Sequence, residues 1–470
     1  MSDVKKAVSQ TALAAIGWPD LLICGGALAV ALLPPPDGET PMMMRAIGLM
    51  IFTIGYWATG RMAEHLVALV FFLLAMLIAL APANVVFSGF AAPAFWLMVG
   101  GLLIGGAVDR TGLGQHLARA VIGGAVRSYG KIIAAILVID VALAFIMPST
   151  MGRVALLLPI AKGIADNAGF RPGDRGWSGI ILAVVFGSYL APTTILPANV
   201  PNNVLLGAAE TVHGVALTYF DYLLLHFPIL GLLKTLVLGV VIVRFWPDRP
   251  VPKPQEDGPQ EPWSPAEYRL LLLLILALSF WMTDVWHGIL PAWVSLTAGL
   301  LCLAPRLGVI AASDLDGLLK LRPLIYVAGI FGLGAVVAST GLGAFLAEAL
   351  LDIFPVSAGA DAINFMFLAL GTTVLGMLTT MPSVPAIMAP LAGELASAMG
   401  LPVKSVLMAT VLGFSTVFFP YQVPPLLLGL YLGHVPLREG ARLGMLMGAI
   451  TIVVLFPMDF LWWQWLGYLP

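Results

Sequence analysis

The segment WLMVGGLLIGGAVDRTGLGQHLA (96–118) recurs as IYVAGIFGLGAVVASTGLGAFLA (325–347), with Thr111 and Thr340 in equivalent positions and an offset of 229 residues. Both copies have a glycine-rich apolar run that ends in TGLG. Later proline landmarks keep similar offsets, 231 residues for Pro159 and Pro390 and 224 for Pro201 and Pro425. Ordered landmarks at nearly constant spacing predict that the chain contains two copies of one structural unit.

The composition indicates that both copies lie in a membrane. Of the 470 residues, 60% are hydrophobic and 10% are charged, whereas soluble domains have about 25% charged residues. The formal net charge of −2 offers no basic surface for a phosphate backbone, so nucleic-acid binding is excluded. Cys24 and Cys302 lie in apolar runs without metal-ligand spacing, which argues against a disulfide framework or a zinc site.

Apolar runs that approach the length needed to cross a bilayer, about 20 residues, occur along the whole chain. They lie near 18–34, 46–60, 64–81, 92–110, 222–244, 267–284, 290–305, 322–340 and 443–466. Four further apolar segments are interrupted midway. We interpret 130–170 and 360–400 as re-entrant hairpins, and 177–215 and 403–434 as unwound spanning helices. The prediction is an all-α polytopic membrane protein with about 11 transmembrane helices, two re-entrant hairpins and an inverted-topology repeat.

The distribution of basic residues predicts the orientation. Lys5 and Lys6 precede the first apolar run, which lacks a small-residue cleavage site and is therefore a retained helix. With the amino terminus in the cytoplasm and the halves inverted, 19 of the 23 basic residues face the cytoplasm. The stretch 341–403 has no lysine or arginine, whereas its counterpart 112–176 has several. We expect a lipid-embedded protein of the cytoplasmic (inner) membrane with its carboxyl terminus outside.

Polar residues cluster at the four interruptions. The hairpin tips read MPSTMGRVALLLPI (147–160) and TTMPSVPAIMAPL (379–391), and the broken helices contain APTTILPANVPNN (191–203) and FPYQVPP (419–425). Unwound backbone inside a bilayer is tolerated only where it lines a cavity or is buried in protein. Half-helix amino termini suit an anion, while carbonyl and hydroxyl oxygens suit Na⁺. The pattern predicts an anion site flanked by cation sites. The alternative is that the hydroxyls only cap interrupted helices.

This layout resembles the divalent-anion:sodium symporter family, which includes bacterial dicarboxylate and sulfate transporters and plastid dicarboxylate translocators. The resemblance covers nearly the whole chain. It implies a homodimer that moves a small anion, such as a C4-dicarboxylate or sulfate, by elevator-type alternating access. It also implies scaffold helices at 1–112 and 267–340, transport parts at 113–245 and 341–470, and a cytoplasmic linker at 246–266.

The resemblance also suggests site residues. The family's first hairpin motif, Pro-Ser-Asn-Thr-Ala-Arg in a plastid-like version, becomes PSTMGR (148–153) here, and the second tip lacks the family's asparagine. The expected substrate residues are Ser149, Thr150, Arg153, Thr193, Thr194, Asn199, Asn202, Thr379, Thr380, Ser383 and Pro424. Possible sodium ligands are Ser149, Thr150, Thr380 and Ser383, and no other cofactor is expected.

Asp140 and Arg153 are the charged residues nearest the tip of the first hairpin. Asp140 precedes Ser149 by nine residues and Arg153 follows it by four, on opposite arms. A charge inside a bilayer costs about 2.5–3.5 kcal/mol on insertion scales. Arg153 can bind a carboxylate or sulfate with its two-pronged donor set, and Asp140 can carry a proton in place of sodium coupling. The structural alternative is that the two charges neutralise each other.

The source of energy is expected to be an ion gradient or exchange, because the chain has no GK[ST] phosphate loop. Coupling to Na⁺, coupling to H⁺ and exchange all stay open. A cation/proton antiporter of related architecture is the nearest alternative, although it would need more buried carboxylates. A channel and an intramembrane enzyme are further alternatives. The enzyme would need paired polar groups at depth, where Asp140 is the only clear acid.

Overall fold

The computed structural model describes residues 17–36, 39–122, 128–251, 262–305, 309–311, 313, 315–351 and 356–469. These residues form helices and no strands, which confirms the predicted all-α class. Lys5 and Lys6, and the central part of the predicted linker at 252–261, lie outside the described residues.

The first half begins with four apolar helices and continues with the interrupted segments. The first helices are α1 (Trp18–Leu32), α2 (Pro41–Thr59), α3 (Glu64–Leu77) and α4 (Pro93–Thr111), with the short helices Ala83–Val86 and Ser88–Ala91 before α4. They are followed by α5 (Leu113–Ile122), α6 (Tyr129–Ala144), α7 (Thr150–Asn167), α8 (Arg175–Leu190), α9 (Val200–His213) and α10 (Tyr219–Phe245).

The second half repeats this order of elements from α2 onward. Its helices are α11 (Pro265–Met282), α12 (Pro291–Leu303), α13 (Leu321–Ser339), α14 (Leu342–Leu351), α15 (Asp361–Leu378), α16 (Ser383–Met399), α17 (Val403–Phe414), α18 (Pro424–Leu432) and α19 (Leu437–Trp465). The short helices Asp284–His287 and Leu315–Leu318 lie between the larger ones. Helices α4 and α13 carry the two copies of the segment that ends in TGLG.

Within the described residues, seven helices are long and apolar enough to cross a membrane. They are α2, α8 with its extension to Thr194, α10, α11, α13, α15 and α19, and the pair α16 and α17, bent by 120°, is an eighth candidate. Helices α1, α3 and α12 are apolar but shorter. Large hydrophobic side chains such as Leu73, Leu272 and Val453 are exposed on the outside of the molecule. Apolar helices of this length with an apolar exterior identify an integral membrane protein.

The last helix of each half contains a π-helical segment, a match that the sequence analysis missed. Phe227–Leu233 interrupts α10, and Thr451–Leu455 interrupts α19. Each segment adjoins or contains a Phe-Pro pair, at 227–228 and 456–457, and these pairs are again offset by 229 residues. Proline lacks an N–H group and crowds the carbonyl four residues earlier, which a wider π turn relieves. The shared position supports the internal repeat.

The helix interruptions fall where the sequence predicted them. Residues 145–149 join α6 to α7, and residues 379–382 join α15 to α16. Two 3₁₀ turns, Ala191–Thr194 and Leu196–Ala198, separate α8 from α9, and the 3₁₀ turn Pro420–Gln422 lies between α17 and α18. Prolines in these stretches remove backbone donors and so end the helices. The re-entrant character of the two hairpins stays a prediction.

The broken helices form the centre of the molecule. In α8 every residue from Gly176 to Leu190 is buried, and α17 is buried from Ser405 to its end. Outer helices approach each other through small residues. A Cβ atom on Gly100 of α4 would lie 2.4 Å from the carbonyl oxygen of Ser295 on α12. Close backbone approach of this kind is how membrane helices gain packing energy.

Candidate substrate cavity

A cavity of about 810 Å³ lies between the first hairpin tip, the two helix breaks and the helices α4 and α13. Of the residues expected at the substrate, Ser149, Thr150, Asn199 and Pro424 line it. Other lining residues, which the sequence analysis did not single out, are Tyr189, Asn203, Tyr326, Met381, Pro382 and Gln422. The cavity therefore brings together residues from both halves of the chain.

Two half-helices begin at this cavity. Helix α7 starts after Ser149, whose Oγ accepts a hydrogen bond from the backbone N of Gly152 at 3.1 Å. Helix α9 starts after Asn199, whose Oδ1 accepts from the backbone N of Asn202 at 3.2 Å. Side-chain caps of this type fix the first turn of a helix. Since a helix amino terminus carries a partial positive charge, both ends favour a bound anion.

Two asparagines at the start of α9 have unused polar atoms. Asn199 and Asn203 are 2% and 3% exposed and both line the cavity. Neither Nδ2 of Asn199 nor Oδ1 of Asn203 has a hydrogen-bond partner among the described residues. Because an unpaired buried polar group is costly, a bound ligand is the natural partner. The spacing could have revealed Asn203, which lies four positions after Asn199 and so on the same side of the helix start.

Arg153 lies behind the cavity wall and is not part of the lining. Its side chain is fully buried, and its guanidinium donates to the carbonyl oxygens of Met147, Ser188 and Ala198 and to Oγ1 of Thr150. The distances are 2.8 Å to Ser188, 3.1 Å to Ala198 and 3.3 Å to Thr150. Arg153 thereby ties the hairpin tip to the first helix break.

Asp140 is also fully buried, on the other arm of the hairpin. Its Oδ1 accepts a hydrogen bond from Oγ of Ser188 at 2.5 Å, while its Oδ2 has no partner in the described part of the chain. The expectation that Asp140 is the only clear acid at depth was wrong, because Asp459 on α19 is fully buried as well. Helix α19 extends beyond Asp459 to Trp465, so this carboxylate is packed inside the bundle.

Three of the polar residues expected at the substrate instead hold the first break together. Thr193 and Thr194 donate their hydroxyls to carbonyl oxygens three residues earlier, at 2.5 and 2.6 Å. Asn202 donates through Nδ2 to the carbonyl oxygens of Pro192 and Ile195, at 2.9 and 2.6 Å. None of the three lines the cavity. Their role is to satisfy carbonyls that the interrupted helix leaves without partners.

The second half contributes a less polar wall. Thr380 Oγ1 and Ser383 Oγ lie 3.2 Å apart and bond to each other, and Thr379 donates its hydroxyl to a carbonyl of the preceding helix at 3.0 Å. These three residues do not line the cavity, although the two residues between Thr380 and Ser383 do. Helix α18 begins with Pro424 and Pro425, which have no N–H groups to offer an anion.

Gln422 organises the second break. Its Oε1 accepts hydrogen bonds from the backbone N atoms of Phe418 and Phe419, at 2.8 and 2.7 Å. Its Nε2 donates to the carbonyl oxygen of Gly376 at 2.6 Å. The backbone carbonyl of Gln422 accepts a hydrogen bond from the backbone N of Met381 at 3.1 Å. One side chain thus joins the second hairpin to the irregular stretch after α17.

Charged residues of both signs line one end of the cavity, namely Glu64, Asp109, Arg110 and Lys320. The distribution of basic residues predicts that this end faces the cytoplasm. Within the described residues, no group of three or more His, Cys, Asp or Glu side chains is arranged to hold a metal ion.

Comparison with known families identifies the chain. Residues 17–469 match the profile of the sodium:sulfate symporter transmembrane region. The chain belongs to the sodium:sulfate symporter family. This assignment confirms the resemblance to divalent-anion:sodium symporters that the hairpin and broken-helix layout indicated.

Proteins similar to this chain include two that are named as transporters. The chain is 23% identical to a membrane protein of Cupriavidus necator, over 96% of this chain and 93% of the relative. It is 22% identical to an uncharacterized transporter of Haemophilus influenzae, over 90% of this chain and 92% of the relative. It is 23% identical to the L-tartrate/succinate antiporter of Escherichia coli K12, over 80% of this chain and 79% of the relative.

A solved structure shares the fold of this symporter-family protein. The crystal structure of the Alcanivorax borkumensis YdaH transporter superimposes with a TM-score of 0.57, covering 82% of this chain and 88% of that chain. At 16% identity the likeness shows the fold alone. Membership of the sodium:sulfate symporter family identifies the protein as a membrane transporter.

Proposed function

We propose that the protein exchanges small carboxylate anions, in particular C4-dicarboxylates, across the cytoplasmic membrane without sodium. The relatives named L-tartrate/succinate antiporters support both the substrate class and exchange. The observation that carries the proposal is the position of the Arg153 guanidinium, which bonds to the oxygens of the first helix break.

A sodium ion at a helix break would be held by backbone carbonyls and hydroxyls. At the first break these oxygens already accept hydrogen bonds from Arg153, and Thr150 Oγ1 is among them. The hydroxyl of Ser149 is used as a helix cap. The protein's own cation therefore supplies the charge that the break needs. Asp140 balances that charge, and we assign it this role in place of proton transfer.

The substrate binds with one carboxylate at the starts of α7 and α9. There the Nδ2 of Asn199 donates to it, and the two helix amino termini add a favourable field. The other carboxylate faces Tyr326, which lines the cavity and whose hydroxyl has no hydrogen-bond partner among the described residues. Neutral donors bind an anion firmly enough to select it and weakly enough to release it, as exchange requires.

The transport step is an elevator movement in a homodimer. Residues 113–245 and 341–470 move as the transport part against the scaffold, 1–112 and 267–340. The position of the cavity supports this division. The cavity lies on the seam between hairpins and broken helices on one side and α4 and α13 on the other. The cavity also reaches Arg110 and Lys320, and with the predicted orientation we infer a state that is open to the cytoplasm.

Exchange in proteoliposomes tests the proposal. Vesicles are loaded with unlabelled succinate or with buffer alone, and uptake of labelled succinate is followed in NaCl, in choline chloride and under an inward proton gradient. We expect uptake only into the succinate-loaded vesicles, at equal rates in Na⁺ and choline. Labelled sulfate, measured in parallel, should not exchange with internal succinate.

Three outcomes would contradict the proposal. Uptake into empty vesicles under a Na⁺ gradient would show sodium coupling and support Thr150, Thr380 and Ser383 as sodium ligands. Uptake driven by protons would return Asp140 to the centre of coupling. Sulfate exchange without succinate exchange would overturn the substrate class while leaving the transporter fold in place.

A further inference from the structure

Lys234 places an ammonium group at the second helix break. It lies on α10 directly after the π-helical segment, and only 1% of the residue is exposed. Its Nζ donates to the carbonyl oxygen of Ser415 at 2.7 Å. Ser415 is the C-cap residue directly after α17. Because the side chain is buried to its tip, Lys234 does not extend to the membrane surface as lysines near helix ends do.

Asp459 on α19 provides the opposite charge. It is fully buried, and neither carboxylate oxygen has a hydrogen-bond partner among the described residues. This part of α19 packs against the π-helical segment that directly precedes Lys234, so the two residues lie on neighbouring helices, and Trp463 follows Asp459 by one helical turn. Two buried ionisable groups on neighbouring membrane helices are expensive to maintain, which points to a function.

The end of a half-helix is where such a charge is useful. The last carbonyls of a helix lack intrahelical partners and carry a partial negative charge, so they attract a cation. In transporters with broken helices, these ends are the places that hold coupling ions. At the second break of this protein the carbonyl of Ser415 faces the amine of Lys234 instead.

The first break has the same arrangement, built from different elements. There Arg153 of the hairpin donates to the carbonyl of Ser188, and Asp140 is the counter-charge. The 229-residue offset places neither Arg153 on Lys234 nor Asp140 on Asp459, so the internal repeat alone does not generate the match. Each break has acquired its own basic residue and its own carboxylate.

We propose that Lys234 is a fixed internal cation of the second helix break, in the place of a mobile sodium ion, with Asp459 as its counter-charge. Lys234 is thus a positioning residue, since it acts on the backbone that shapes the cavity and does not touch the substrate. The inference rests on the proposed sodium-independent exchange and explains how the second break dispenses with the ion.

The first test measures cation binding without any substrate. Lys234→Ala removes the ammonium and leaves Asp459 and the Ser415 carbonyl in place. Thermal unfolding of the purified protein is compared in choline chloride, NaCl and methylammonium chloride. We expect Lys234→Ala to unfold several degrees lower than the parent in choline, and Na⁺ or methylammonium to restore most of the difference. The parent should show no such shift.

Two further variants give the controls. Lys162→Ala removes another lysine whose amine bonds a helix-end carbonyl, that of Leu432, but which is only partly buried. It should show no cation-dependent shift. Lys234→Ala combined with Asp459→Asn removes both charges, so it should fold and should also show no response to Na⁺. If Na⁺ raised the unfolding temperature equally in all variants, or did not raise it in Lys234→Ala, the proposal would be overturned.

The second test follows exchange. Succinate exchange by Lys234→Ala should fall at least tenfold in choline and recover in NaCl, whereas a merely structural lysine would leave the loss independent of sodium. Parental exchange by Lys234→Ala or by the double variant in choline would overturn the proposal. If Na⁺ stimulated succinate exchange by the parent, this would count against the proposed exchange function. The cation-dependent changes in unfolding temperature would still decide the role of Lys234.

Discussion

Asp140 and Arg153, on opposite arms of the first hairpin, are joined through a single residue of α8. Ser188 donates its hydroxyl to Asp140 at 2.5 Å, and its carbonyl accepts from Arg153 at 2.8 Å. The two opposite charges are therefore held at a fixed separation across the first helix break. Because neither charge is tolerated alone in a bilayer, this connection binds the hairpin and α8 into one unit.

Replacing Arg153 with methionine should lower the free energy of unfolding by about 3–5 kcal/mol, because it leaves a buried charge without its partner. Adding Asp140→Asn should recover part of that loss, since a neutral amide needs no counter-charge. Thermal unfolding of both single variants and the double variant measures this coupling. If the two losses simply add, the residues do not act as a pair.

Asn199→Asp tests the donor at the substrate. The aspartate still accepts from the backbone N of Asn202 and so keeps the helix cap, but it places a negative oxygen where Nδ2 was. A hydrogen bond to a charged group contributes about 1.5–3 kcal/mol, and repulsion adds to its loss. We therefore expect kcat/KM for succinate exchange to fall by about 100-fold, with unfolding unchanged. Parental affinity in this variant would remove Asn199 from the site.

Gln422 should be essential for the second break through its acceptor and donor atoms together. Gln422→Leu leaves two backbone N–H groups and one carbonyl unpaired, at about 1–3 kcal/mol for each buried group. Gln422→Glu in its neutral, protonated form keeps the acceptor and offers an O–H donor to Gly376, so it should cost less than half as much. Unfolding and exchange measured side by side should place the glutamate variant between parent and leucine. Equal stability of Gln422→Leu and the parent would refute this role.

Two glycines of α4 differ in how much space surrounds them, so alanine substitutions at these positions test helix packing. A Cβ atom on Gly100 would meet backbone atoms of Ser295 at 2.3–2.4 Å, whereas one on Gly105 would meet nothing within 4 Å. Gly100→Ala should therefore lower the free energy of unfolding by about 1–3 kcal/mol through overpacking, and Gly105→Ala should not. The midpoint of thermal unfolding of the two purified variants checks this difference. A matching loss in both would indicate a general intolerance of alanine in α4.

Much of the candidate site could be located from the sequence, but its residues could not be sorted. The motifs around Ser149 and Asn199 correctly marked two helix starts at a cavity. Thr193, Thr194 and Asn202 lie in the same motif, yet their side chains bond to the backbone of the break. Hydroxyl and amide groups serve both purposes equally well, so residue type alone does not distinguish them.

The sequence by itself determined the all-α membrane class, the internal repeat and the positions of the helix breaks, because these follow from local causes. Apolar length defines the spans, and proline removes the N–H groups that a helix needs. Only the tertiary structure decided that Arg153 turns away from the cavity and that Lys234 meets Ser415, 181 residues later. The direction of a buried side chain depends on how its helix is rotated against distant neighbours. That rotation is a result of packing over the whole bundle.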